Sequence, residues 1–142
     1  MTDIEKAKEM LINGDYSCVL CRGNAVFASK ERGIKPLVEL CRSGENLKGF
    51  SAADKIVGKA AAFLYAYMGV REIYAQTMSR GGEQVLKTYS IKYSCDTLCD
   101  EIINRKGTDV CPMEKAVRDI DNFTDAYKVL CDAVDDLDNR IH

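Results

Sequence analysis

The segment that most restricts the fold is Ser51-Ala-Ala-Asp-Lys-Ile-Val-Gly-Lys-Ala-Ala-Ala-Phe-Leu-Tyr-Ala-Tyr-Met68. It opens polar and then becomes apolar almost all round, and an element without a polar face belongs in an interior. Read as one helix from Ser51 to Met68, it must lie against a sheet on one side and be covered on the others. Gly58 and the alanines would permit a close approach to that sheet. The apolar run Ala60–Met68 is far shorter than the roughly 18 residues of a membrane span, so no membrane partner is expected. A chain of 142 residues, 46% of them hydrophobic, can bury a core without disulfide or metal staples. Twenty Lys+Arg against 22 Asp+Glu leave a net charge of −2, which argues against nucleic acid as a partner. Met1-Thr-Asp-Ile-Glu-Lys6 lacks the basic-then-apolar plan of a signal peptide, and a cytoplasmic location is expected.

Around this segment the elements alternate. Thr2-Asp3-Ile4-Glu5 is a capping box that opens a helix ended at Asn13-Gly14. Tyr16–Cys21 and Ala25–Ser29 flank Arg22-Gly23-Asn24 as a hairpin, apolar on both faces. A helix over Lys35–Arg42 follows. After Gly69 come a strand at Glu72–Met78, a helix at Gly81–Tyr89, a short strand at Ile91–Ser94 and a helical turn or two at Asp96–Ile103. Pro112 suits the first turn of another helix. The last helix, about 122–139, carries Phe123, Tyr127, Leu130, Val134 and Leu137 in a narrow stripe suited to docking on the domain or to pairing in a homodimer. The pattern describes one domain over 1–142, with its core at about 16–118: an α/β, three-layer α/β/α sandwich with a mixed sheet and a C-terminal amphipathic helix.

Seven cysteines without a secretion signal read as free thiols. Cys18 and Cys21 stand three apart on a strand and so point to opposite faces, unlike a zinc knuckle. Cys95 and Cys99 could share a helical face, but no second dyad stands at zinc spacing, and the one histidine is His142. Small buried hydrophobes are the expected role for most of them.

Several blocks in order carry a resemblance: Ser29-Lys-Glu-Arg-Gly-Ile-Lys-Pro-Leu37, Gly49-Phe-Ser-Ala-Ala-Asp-Lys-Ile-Val-Gly-Lys-Ala-Ala-Ala62, Ile103-Asn-Arg-Lys-Gly-Thr108 and Cys111-Pro-Met-Glu-Lys-Ala-Val117. They resemble a small prokaryotic family of unassigned function with a cytidine deaminase-like fold. The resemblance implies a sheet opened by the hairpin, with the Ser51 helix buried at its centre. Zinc deaminases use His/Cys-x-Glu at the start of this buried helix and Pro-Cys-x-x-Cys at the start of a later one. Ala52-Ala53-Asp54 keeps a carboxylate at the first position but no ligand, and Ser79-Arg-Gly-Gly82 holds no cysteine. No zinc and no hydrolytic deamination by that mechanism are expected, and no other cofactor is indicated.

A helix start still favours anions through its free N–H groups and its dipole. The expected site is a pocket for a nucleotide or related anionic small molecule at the starts of the Ser51 and Pro112 helices. Ser51 would cap, Asp54 and Lys55 would form the polar centre, and Lys59 would lie one turn further in. Asp54 would transfer protons, Lys55 would stabilise charge, and Cys111, ahead of Pro112, would be the nucleophile if chemistry occurs. Glu114 follows in the same turn, and the resemblance folds the loop bearing Arg105 over the Ser51 helix. Plainer roles exist for the same residues: Asp54 completing a capping box with Ser51, solvated lysines, and Cys111 and Glu114 serving only as cap residues. The alternative function is a non-catalytic regulatory or protein-interaction module working through the terminal helix. A thiol redox protein using Cys111 is a third.

Overall fold

The computed structural model describes residues 1–104 and 106–141. Helix α1 (Asp3–Asn13) begins at the expected capping box: the Thr2 hydroxyl accepts the Glu5 N–H at 3.2 Å, and the Glu5 carboxylate reaches back to the Thr2 N–H. Strands β1 (Cys18–Arg22) and β2 (Ala25–Ser29) form the hairpin, with Gly23 at φ +57° opening the two-residue turn. Helix α2 (Lys35–Arg42) has the boundaries its sequence indicates.

The central segment departs from expectation. Ser51–Val57 is a strand, β3, and the helix, α3, covers only Lys59–Met68, with Gly58 between them. Strand β3 lies in mid-sheet, antiparallel to β1 and parallel to β4 (Glu72–Ser79). The alanines that favour a helix locally serve a different purpose here. Ala53 lies under α1 beside Ala7 and Leu11, whereas Ala52 joins the core beneath α3, and both are fully buried. Small side chains on both faces let helices close on the strand from either side, and this packing overrides helix propensity. The alternation also slips. Asp54 faces α3, bonded to the Tyr65 hydroxyl, and Val57, three residues on, joins the same core. At the slip the Asp54 carboxylate accepts the N–H of Ile56, whose side chain is left exposed.

Helix α4 (Arg80–Thr88) follows β4 without a loop, and β5 (Lys92–Cys99) pairs parallel to β4. Cys95 and Cys99 therefore lie on a strand and not on the helical turns expected of that stretch. A five-residue α5 (Pro112–Ala116) and the long α6 (Phe123–Ile141) complete the chain. The sheet order is β2-β1-β3-β4-β5, a mixed sheet in an α/β fold with helices on both faces. Helix α1 covers one face with the smaller apolar cluster of Val19, Cys21, Ala53 and Tyr74. The larger core takes in α2, α3, α4 and α6 on the other. Strand β1 is buried on both faces as its composition indicates, but β2 is a largely exposed edge. The stripe of α6 packs inside the chain: Ala126, Leu130 and Val134 are buried, and Tyr127 stacks on Tyr67 with ring centroids 4.2 Å apart. No helix among the described residues is long and apolar enough to cross a membrane.

Two predictions follow from this packing. Leu130→Ala should lower the unfolding free energy by about 2–5 kcal/mol in urea titrations, and Leu137→Ala, half exposed, by less than about 1 kcal/mol. Burial raises the Asp54 carboxyl to about 7, against the hydrogen bonds from Tyr65 and from backbone N–H groups. The folded state thus holds this proton more tightly than the unfolded chain, and stability is lost as pH rises from the unfolded carboxylate range through neutrality. Asp54→Asn retains an acceptor for Tyr65 and removes the buried charge. Its stability relative to the parent should therefore rise by roughly 2–3 kcal/mol between pH 5 and pH 8, read by thermal unfolding. A difference independent of pH would contradict the buried ionisation.

Candidate functional site

The residues expected to form one site are distributed over the molecule. With the helix beginning at Lys59, Ser51 is not a helix cap: it is buried at the opening of β3, at the far end of that strand from α3. Asp54 sits between sheet and α3, 8% exposed, its Oδ2 accepting the Tyr65 hydroxyl at 2.6 Å. Lys55 reaches Asp15, just beyond α1, at 2.7 Å. Asp54 and Lys55 are consecutive on a strand and diverge for that reason. Cys111 is the N-cap residue of α5, a helix of five residues, and makes no side-chain cap hydrogen bond. Asp54, Lys55 and Cys111 do not converge as a catalytic trio. Arg105 lies outside the described residues.

Lys59 and Glu114 do meet. Gly58, the N-cap of α3, has no side chain to offer, and the first turn of this buried helix needs acceptors. Glu114 supplies them from α5: its Oε1 accepts the Lys59 N–H at 2.7 Å and its Oε2 the Ala60 N–H at 2.9 Å. A Cβ at position 58 would lie 1.9 Å from the Glu114 Oε1, so glycine is what admits the carboxylate. Burial pushes the Glu114 carboxyl upward, and the two N–H groups oppose that rise. The side chain of Lys59 folds back, donating from Nζ to the Arg118 carbonyl at 2.8 Å.

The start of α4 adjoins this point. The Ser79 hydroxyl accepts the Gly82 N–H at 3.0 Å, and a Cβ on Gly82 would meet the Val57 carbonyl oxygen at 2.8 Å. Glycine there brings the starts of α3 and α4 together at the C-terminal ends of β3 and β4. Two cavities open along the seam and share Lys59 and Gly81. One, about 250 Å³, has an apolar floor of Phe63, Val85, Tyr89 and Ile120. The other, about 130 Å³, is charged, with Ser79, Asp100, Glu101, Glu114 and Arg118 around Lys59. The crevice beyond the carboxyl ends of parallel strands is where open α/β sheets bind ligands. Lys59 and Glu114 were legible as candidates, but Ser79, Arg118 and the apolar floor were not. Their signal was Val57-Gly58-Lys59, a strand–glycine–helix junction hidden inside a helical reading.

The thiols are spread through the fold. Cys18 and Cys21 point to opposite faces of β1, as their spacing indicates. Burial pushes the Cys18 and Cys41 thiols up to about 12, with Asp54 adding to the rise at Cys18. Among the described residues no three His, Cys, Asp or Glu side chains group closely enough to hold a metal ion.

No match is found among curated proteins. Among solved structures, a crystal structure of a DUF1893 family protein (TM1506) from Thermotoga maritima is similar, with a TM-score of 0.86 and 29% sequence identity over 92% of this chain and 89% of that one. The profile of the TM1506 family, described as a domain of unknown function (DUF1893), matches residues 6–134. The chain belongs to the DUF1893 family.

Proposed function

We propose that this chain binds a nucleotide or related anionic small molecule in the crevice between the starts of α3 and α4. The observation that carries the reading is the meeting of a charged cavity and an apolar one at Lys59. Pockets that orient small molecules combine an apolar lining with a few convergent polar groups. The apolar floor suits a flat ring, and Lys59 and Arg118 supply cationic groups for a phosphate or carboxylate once Lys59 turns from its backbone partner. Asp100 is paired with Arg80 at 2.9 Å, Glu101 lies 3.9 Å from the Arg118 guanidinium, and Glu114 is engaged by α3, so all three acids have partners and an anion would compete with Glu101 for Arg118.

The same geometry favours a deaminase-like scaffold without its metal centre. In zinc deaminases the ligands stand on two helix starts, and the corresponding starts here read Gly58-Lys59-Ala60 and Ser79-Arg80-Gly81-Gly82. Neither contains histidine or cysteine, and the role proposed for the crevice is binding. The interaction-module alternative relied on the stripe of α6, most of which packs against the rest of the chain.

The test is calorimetric titration with nucleoside mono-, di- and triphosphates. Lys59→Ala should weaken binding at least about tenfold, the loss of one charged hydrogen bond, whereas Lys55→Ala should leave it unchanged. Absence of binding at millimolar concentrations, or equal losses in both variants, would contradict the proposal.

A further inference from the structure

Residues 102–104 and 106–121 form the outer wall of both cavities. Ile102, Val110, Glu114 and Arg118 face the charged one, and Ile120 and Asp121 the apolar one. Each cavity alone is smaller than the ~300–1,000 Å³ usual for a small-molecule site, so a ligand of nucleotide size needs the wall to move. Among its described residues the wall has little regular structure, a bridge from Ile103 to Val110 and the turn of α5. Among the described residues, the two N–H bonds to Glu114, the Lys59 bond to the Arg118 carbonyl, the fully buried side chain of Val117 and the packing of Met113 and Ile120 fasten it to α3 and the core.

We propose that the wall is a gate and that Glu114, seated on the Lys59 and Ala60 N–H groups, is its latch. Both variable contacts, Glu114 and the Lys59 side chain, meet the residue at which the two cavities join. Releasing them leaves the wall held by the apolar packing of Met113, Val117 and Ile120 and turns two small cavities into one open crevice. A carboxylate suits this role, since charge-assisted bonds to two N–H groups hold firmly in a half-buried site yet leave no covalent tie. Gly58 keeps the seat free of a side chain, at φ −97° and ψ −171°, an extended conformation open to any residue. The proposal rests on the crevice being the binding site, but the gate is tested without any ligand.

The experiment is amide hydrogen exchange on the full chain, parent against Glu114→Gln and, separately, Gly58→Ala. Two groups of amides report. Lys59 and Ala60 are bonded to Glu114 itself. Cys111, Glu114 and Lys115 are bonded only within the wall, to the Ile102 and Cys111 carbonyls. A gate requires both groups to exchange at least about tenfold faster in both variants, with core amides of β3 and β4 unchanged. Faster exchange confined to Lys59 and Ala60 would make Glu114 a helix cap and no latch, and would overturn the proposal. Acceleration of every amide would report global destabilisation and overturn it equally. Gly58→Ala displaces the carboxylate while leaving it chemically intact, so agreement between the variants separates release of the wall from loss of a charge.

Discussion

Helix α3 is enclosed along most of its length, with Tyr67 near its end exposed. Its residues from Ala60 to Ala66 are all buried, beneath α2, α4 and α6 and above the sheet. That single constraint organises the rest of the molecule. A helix enclosed in this way cannot leave its first N–H groups to water, and its N-cap is a glycine. The acceptors must come from elsewhere in the chain, and Glu114 brings them from 54 and 55 residues away. The wall that carries Glu114 is thereby drawn over the crevice where α3 and α4 begin. One hydrogen-bonding requirement thus ties the core of the protein to the wall of its candidate site.

The same enclosure explains the buried acid. Tyr65 lies on α3 with no route to solvent for its hydroxyl, and Asp54 on the strand beneath provides the acceptor. The carboxyl gains one strong partner and loses its hydration, which raises its affinity for a proton. Asp54 is therefore read as a structural group of the interior, unlike Glu114, which meets the crevice. The two carboxyls contact the same helix, one from the sheet and one from the wall.

Much of the periphery was legible in the residues. The capping box at Thr2, the hairpin around Gly23, the bounds of α2, the Glu72 strand and the terminal helix all follow local rules of capping, turn chemistry and periodicity. The centre was not. Ser51–Val57 lacks alternation because both its faces are covered and its register slips at Asp54, and its alanines favour a helix when considered alone. Only the neighbouring strands and helices make it a strand. The error moved the expected helix start by eight residues, from Ser51 to Lys59, and with it the candidate site. Ser51, Asp54 and Lys55, expected at that helix start, lie on β3, and the cavities at the helix start share Lys59. Glu114, expected beside Pro112 at the start of a later helix, instead engages the N–H groups of Lys59 and Ala60 on the buried one. The resemblance to a family of unassigned function was sound at the level of the family.

The proposed ligand site is the junction of α3 and α4. The most direct measurement is a two-dimensional amide NMR titration with a nucleoside monophosphate. Perturbed amides should centre on Lys59, Gly81, Gln84 and Tyr89 and extend into the wall around Glu114. Perturbations confined to Ser51–Lys55 and the Asp15 side of the sheet would contradict the account, as would a spectrum unchanged at millimolar ligand.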